Sequence, residues 1–568
     1  MTLPASTSVT LSSDTLTGDI NLGASSTLTL NNTLGSNTNI PTGANVNLGN
    51  YSTLNWNQIG ALTGNTITSG TTAGAYGYFQ VGYNDALTLD SATTLSGDVY
   101  LSGTTGATIN NYGTITQNSG TGYLYAPAFN NYGTIMANSS LNVGYYYNTG
   151  ITNESGGTIT ASGAGTTVGL NNIVNLGTLN ATSSGILEFE GTSNLISNLG
   201  NVVLTSGGLA LLNGTFDNTG TTLTAPTGGS YELYGGTINN GTIAAGALTF
   251  STSGGILSNV TYTGDLTLPA SGYVTLTGSP GTTFTGSNLN LGNYSTLYWN
   301  QNGTLTGKTI TSGTTAGYYA DINVGTNNSL TLGSTTTLTG DVYLNGNTGS
   351  SLLNQGTITQ TAGTGYLYVP NFTNTGTINV QGGTLYSYYT LNNTGGTITG
   401  TGLIQGNVAF AGGTIAPGNS GIGSLTFSNG TFAVTNTAVL DIEVSGATSD
   451  RVLFLSPAAN VNIGSGLVTL SLTLLSNPTL GTTYNIMTIT SGSNTFTGTF
   501  AGLPSSGSTF YANYGANDYQ FTVNYLSSGV TLNFIAVPEP STYALMGAGL
   551  TLLGFRSLRR RRPSGPKI

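Results

Sequence analysis

The chain has no cysteine and no histidine, and only 5% of its 568 residues are charged. Without cysteine there are no disulfides, no thiolate nucleophile and no zinc–thiolate site. Without histidine the usual general base near neutral pH, the commonest metal ligand and any Ser-His-Asp triad are missing. An ordinary globular surface draws on ~25% charged residues, so here Thr, Ser and Asn must carry solubility. Positive charge is scarcest. Six of the eight bases, Arg556, Arg559, Arg560, Arg561, Arg562 and Lys567, stand at the end of the chain. Ahead of them are only Lys308 and Arg451 against all 18 acids, a net charge of −16. Such a body cannot neutralise phosphates, which excludes nucleic acid as a partner. No metal or organic cofactor is expected.

Glycine is abundant, at 87 residues, but without a period of three, and 32 Tyr with 17 Phe are too many for a disordered chain. Repeats set the architecture. "LGNYSTLNWNQIGALTGNTITSGTTAG" from Leu48 returns as "LGNYSTLYWNQNGTLTGKTITSGTTAG" from Leu291, an offset of 243 that also places Trp56 on Trp299. The duplicated blocks run over about 17–163 and 263–402. A shorter beat, N-x-G-T-I/L or a variant, recurs with its glycine at 113, 133, 157, 177, 200, 220, 241, 356, 376 and 396. Asn and Gly tolerate positive φ at a corner, and Thr-Ile then enters an extended segment. Short alternating runs such as "TLTL" and "YLYAP" fill each unit of about 20 residues. One turn signal per 20 residues predicts an all-β fold over 1–410: a parallel β-helix, or β-solenoid, of about 20 coils stacked ~4.8 Å apart. Leu, Ile, Val and Phe would face inward, with Asn and Thr ladders at corners and on faces.

From Ala411 the pattern changes. "GGTIAPGNS" at 412–420, the Ser449-Asp450 step and a final strand around Val530 and Leu532 resemble the C-terminal part of autotransporter-type passenger proteins. That resemblance implies a β segment over 411–535 that ends the solenoid and covers its last coil, where an open edge would invite aggregation.

The closing stretch, "AVPEPSTYALMGAGLTLLGFRSLRRRRPSGPKI" (536–568), is different again. Residues 541–555 are uncharged, and as a helix they span ~22 Å, short of a ~30 Å hydrocarbon core. Extended to 541–558 with snorkelling arginines, they make a marginal transmembrane helix. The arginines favour the cytoplasmic side and leave the solenoid outside the inner membrane. Pro538, Glu539 and Pro540, then the apolar run, then Arg559, Arg560, Arg561 and Arg562 closely resemble the PEP-CTERM sorting signal of exosortase substrates. The resemblance implies processing by an exosortase-type membrane transpeptidase in a Gram-negative bacterium, transient anchoring in the inner membrane, and delivery to the cell surface or extracellular matrix. It also implies exopolysaccharide as a partner, in biofilm or floc formation. That family pairs the tail with an N-terminal signal peptide. "MTLPASTSVTLSSDTLTGDINL" has neither a basic nor an apolar leader region, so the expectation is a start internal to a longer gene or a missing leader.

Candidate chemistry is thin. "GTLTGKT" (303–309) is one residue short of a phosphate-binding loop, and its duplicate has Asn65 in place of Lys308. "GNSG" (418–421) looks like a serine-nucleophile loop but has no histidine to serve it. Glu188 and Glu190, two apart in "ILEFEG", would share a strand face at ~6.6 Å, near the spacing of inverting glycosidases. A β-helical enzyme acting on extracellular polysaccharide is therefore the alternative to a non-catalytic structural or adhesive protein. Asp441 and Glu443 repeat the spacing and read as structural. Tyr145, Tyr146, Tyr147 and the Tyr386-Ser387-Tyr388-Tyr389 group suit either sugar stacking or ladder packing between coils.

Overall fold

A computed structural model of the chain describes residues 1–32, 37–70, 72–144, 150–455, 461–490 and 494–536. Alternation in the sequence becomes strand directly. In Thr114–Gln117 the sequence Thr-Ile-Thr-Gln buries Ile115 and turns both threonines outward, as a period of two requires. Three such strands make a coil. Thr94–Gly97, Val99–Gly103 and Thr108–Asn111 form one, and Thr114–Gln117, Gly122–Tyr125 and Ala128–Asn131 lie on them in parallel register. The solenoid has about 20 coils in all. One turn of 3-10 helix, Ile196–Asn198, is the only helix among the described residues, and none of those residues forms a helix long and apolar enough to cross a membrane.

The chain divides into two compact units: residues 1–330 with 346–350, and 331–345 with 351 onward. In the first unit one inward column reads Val46, Ile67, Leu95, Ile115, Ile135, Ile159, Leu179 and Val202, each directly over the last. None is more than 2% exposed. In the second unit Leu338, Ile358, Ile378, Ile398 and Ile415 stack in the same way. Each buried aliphatic side chain contributes about 1.5–3 kcal/mol, and every coil shares its contribution with only two neighbours, as in other solenoids.

The recurrent asparagine forms a ladder through the corner. Asn111 donates from Nδ2 to Asn131 Oδ1, Asn131 to Asn153 and Asn153 to Asn175, each at 2.7 Å and fully or almost fully buried. Asn354, Asn374 and Asn393 repeat it in the second unit, again at 2.7 Å. The expected role of the following glycine needs correcting. Gly200, Gly220 and Gly241 do have positive φ, but Gly113, Gly133, Gly177, Gly356 and Gly376 do not. At these five a Cβ would lie 2.2 Å from a carbonyl oxygen of the preceding coil. Glycine is required there for space, because the backbones touch.

The duplicated block does not return to the same face. Thr53–Asn57, carrying Trp56, lies on the column that continues coil by coil to Leu248–Phe250. Its duplicate Thr296–Asn300, carrying Trp299, stacks through Tyr273–Thr277 onto Ile256–Ser258 and Thr237–Asn239. That is the neighbouring column, so the copy is stepped round by one face.

In the second unit parallel stacking runs on through Ser424–Ser428, Arg451–Leu455 and Thr483–Ile489. Three antiparallel strands then finish the fold: Thr509–Tyr514, Asn517–Leu526 and Gly529–Ala536. The last is inserted between Asn517–Leu526 and Thr483–Ile489, so the edge of Thr483–Ile489 is paired.

Candidate functional site

Two kinds of feature compete as the functional site: the tail, and the outward faces of the coils. Pro538, Glu539, Pro540, the apolar segment 541–558 and Arg559, Arg560, Arg561 and Arg562 lie outside the described residues. What is described is the strand that feeds them. Val530 and Leu532 in Gly529–Ala536 are fully buried, and Phe534 packs on Phe521 with ring centres 5.5 Å apart. Pairing continues to the Gln520–Ala536 contact, so folded structure reaches to within two residues of Pro538.

On the coils, Glu188 and Glu190 do share the outward face of Ile186–Glu190, both half-buried. Glu188 accepts a hydrogen bond from Asn213 Nδ2 at 2.7 Å. Burial first, and the Glu188 charge second, push the Glu190 carboxyl above the usual range. Sequence reasoning missed a third member: Glu232 lies two rungs along the same column through Leu211, and burial raises it too. Among the described residues no cation bonds to this row. Lys308 donates to the backbone carbonyls of Phe284 (2.9 Å) and Gly286 (2.5 Å). Its ammonium is thereby tied to main chain, which also disposes of the phosphate-loop likeness at 303–309. Gly418 is buried in a bridge to Gly400, and Ser420 stands in the bend that follows, exposed at φ 64°. No group of three or more acidic side chains among the described residues is placed to hold a metal ion.

Asp441 and Glu443 face outward on Ala438–Ser445, Asp441 accepting from Ser471 Oγ at 2.8 Å. Beside them Asp450 is buried, and accepts from the backbone N–H of Gly423 (2.7 Å) and Glu443 (2.8 Å). Burial raises its pKa to about 6 in spite of those bonds. The Ser449-Asp450 step is thus a brace that ties two neighbouring strands through one carboxylate.

The tyrosines make an organised surface. In the first unit Tyr78, Tyr100 and Tyr123 occupy successive rungs, with ring centres 4.7 and 5.5 Å apart. Tyr76 leans on all three, and Tyr125 reaches Tyr100 at 5.6 Å. Burial and the neighbouring phenols raise Tyr76 and Tyr78 above the ordinary tyrosine range. In the second unit Tyr343, Tyr366 and Tyr386 repeat the run, joined by Tyr368, Tyr388 and Tyr389. Tyr388 is 63% exposed. Most contacts are edge-on or tilted, a geometry that adds about 0.5–1.5 kcal/mol per pair. Ladder packing is therefore real, and the outer edges still face solvent. Tyr145, Tyr146 and Tyr147 lie outside the described residues.

The duplication acts as an internal comparison. Tyr76, Tyr100, Tyr123 and Tyr125 recur as Tyr319, Tyr343, Tyr366 and Tyr368, whereas outward Tyr83, Tyr112 and Tyr132 have become Thr326, Gln355 and Thr375. Tyr78 of the strip has become Asp321, so four of its five tyrosines are kept, and the exposed corner Tyr51 also recurs as Tyr294.

A family model for the PEP-CTERM protein-sorting motif matches residues 536–562. No curated protein matches the chain. The chain carries a PEP-CTERM sorting signal joined to a β-solenoid body, and that signal marks an exported protein that an exosortase processes at the membrane.

Proposed function

We propose that this chain is a non-catalytic structural or adhesive protein of the bacterial surface or extracellular matrix. In this reading it is held briefly in the inner membrane by segment 541–558, cleaved near Pro538, Glu539 and Pro540 by an exosortase-type transpeptidase, and then released as a β-solenoid. The observation that carries the reading is the sorting motif at 536–562 abutting the last strand of a repetitive body that is poor in charged residues. The two tyrosine strips support an adhesive role toward exopolysaccharide, since each presents half-exposed aromatic edges flanked by amides and hydroxyls. Intact-mass measurement of protein from the extracellular fraction tests the sorting step. The expected mass lacks the residues beyond about Pro540, and a P538A/E539A/P540A variant stays unprocessed and cell-associated. Released protein with its full C-terminus would overturn the reading.

A β-helical enzyme acting on polysaccharide is the second reading, favoured by one observation: Glu190 is raised beside Glu188, as in acid–base carboxylate pairs. Among the described residues no cation bonds to that row, which argues against it. The expected result is that E188A/E190A protein and the parent are equally inert toward acidic and neutral polysaccharides. Cleaving activity in the parent that disappears in the variant would favour the enzyme.

A further inference from the structure

Among the described residues Arg451 is a cation that no backbone carbonyl holds, in contrast to Lys308. It begins the strand Arg451–Leu455 and is exposed, with Ser424 beneath it in register. Among the described residues its guanidinium donates to Ser424 Oγ alone, from Nε at 3.1 Å. Arginine offers five N–H donors in a planar fork, so the paired Nη edge that suits a carboxylate remains open.

Arg451 lines a cavity of about 430 Å³, a size usual for small-molecule sites. The fold builds it locally. A hairpin leaves the coil where Val444 pairs with Ser449 and Ser445 with Thr448, and its tip forms one wall. Ile422 adds an apolar side chain to the lining, and Thr483 and Asn485 come to it from the next coil. The lining is hydroxyl-rich, with Ser424, Thr448 and Thr483, and none of its ten residues is acidic. In a body of net charge −16, the free cation and the acid-free cavity coincide. The nearest carboxylate in sequence, Asp450, is turned into the fold and occupied by two backbone N–H groups.

We propose that this cavity binds a carboxylate-bearing sugar, with the Arg451 guanidinium receiving the carboxylate and the hydroxyl and amide side chains receiving the ring hydroxyls. A single cation suits a monoanion better than a phosphate dianion, and a long polyanion would meet the field of the surrounding acids. The assignment stands apart from the adhesive role of the tyrosine strips, which lie on other strands.

Calorimetric titration of the full chain with galacturonate, galactose and inorganic phosphate tests it. Galacturonate, a monoanion, is expected to bind. R451A should weaken it at least ten-fold and R451K less, while far-UV circular dichroism stays unchanged. T448W, which fills the cavity and keeps the arginine, should also abolish binding. Galactose is expected to show no dependence on residue 451. Absence of galacturonate binding, equal binding by R451A or T448W, or phosphate binding as tightly as galacturonate would each overturn the assignment.

Discussion

Replacing Gly133 by alanine is expected to destabilise the first unit by at least about 3 kcal/mol, and G156A by only about 1–2 kcal/mol. The two glycines lie in successive corners, but they serve different ends. A Cβ on Gly133 would lie 2.2 Å from the carbonyl oxygen of Gly113 and 2.6 Å from the carbonyl carbon and oxygen of Tyr112. All three are main-chain atoms of the preceding coil, so no side chain can swing aside. Relief requires the coils to part, which would stretch the Asn111–Asn131–Asn153 ladder whose amides are buried and bonded at 2.7 Å. A buried amide that loses its partner costs a further ~1–3 kcal/mol. Gly156 has φ +88° and open space around its Cβ position, so alanine there meets only the backbone penalty. Thermal unfolding followed by circular dichroism checks both. Equal midpoints for G133A and G156A would refute close coil contact as the reason for glycine in the N-x-G corner.

That distinction marks where the sequence stops being readable. The 20-residue beat, the inward aliphatic columns and the asparagine ladder all follow from local alternation plus a turn signal, and each could be placed from residues alone. Whether a corner glycine answers to φ or to space depends on the coil beneath it, some 20 residues away. The acidic "GD" units show the same limit. Asp19 and Asp265 sit at the surface and hold Asn45 and Asn288. Asp98 and Asp341, in near-identical words of sequence, are buried and bonded to Gln117 and Gln360 of the next coil. Only the stacking partner separates the two outcomes. The step of the duplicate onto a neighbouring face was equally invisible, because it arises in the irregular coils between the copies, where Val203 and Thr227 retain a single bridge of the old column. Of the candidate sites, the sorting signal was readable because its chemistry is linear. The cavity at Arg451 needs a hairpin, a turn and two coils brought together, and nothing local announces it.

A chain ended after Ala536 is expected to unfold at the same midpoint as the full chain, and a chain ended after Leu526 to lose the cap and aggregate. The strand Gly529–Ala536 lies inside its sheet, antiparallel to Thr483–Ile489 on one side and to Asn517–Leu526 on the other. Removing it uncovers the sites of Val530, Leu532 and Phe534, each worth about 1.5–3 kcal/mol of burial. It also leaves two rows of main-chain donors and acceptors without partners, a template for pairing between molecules. The loss is on the order of 5 kcal/mol or more before any aggregation. Phe521 and Tyr519 would be stripped on the side where Phe534 now covers them at 5.5 and 5.7 Å. Size-exclusion chromatography and thermal unfolding of the two truncated chains decide the matter, and equal stability for both would show that the last strand is not part of the folded body. The consequence for sorting follows from position. A protease that cut before Ala536 would release a protein with an open sheet, whereas one acting at Pro538 or beyond leaves the cap whole. Proline, which has no N–H to donate to a ladder, stands at the first such place. On that expectation a cut at the motif spares every described strand of the cap.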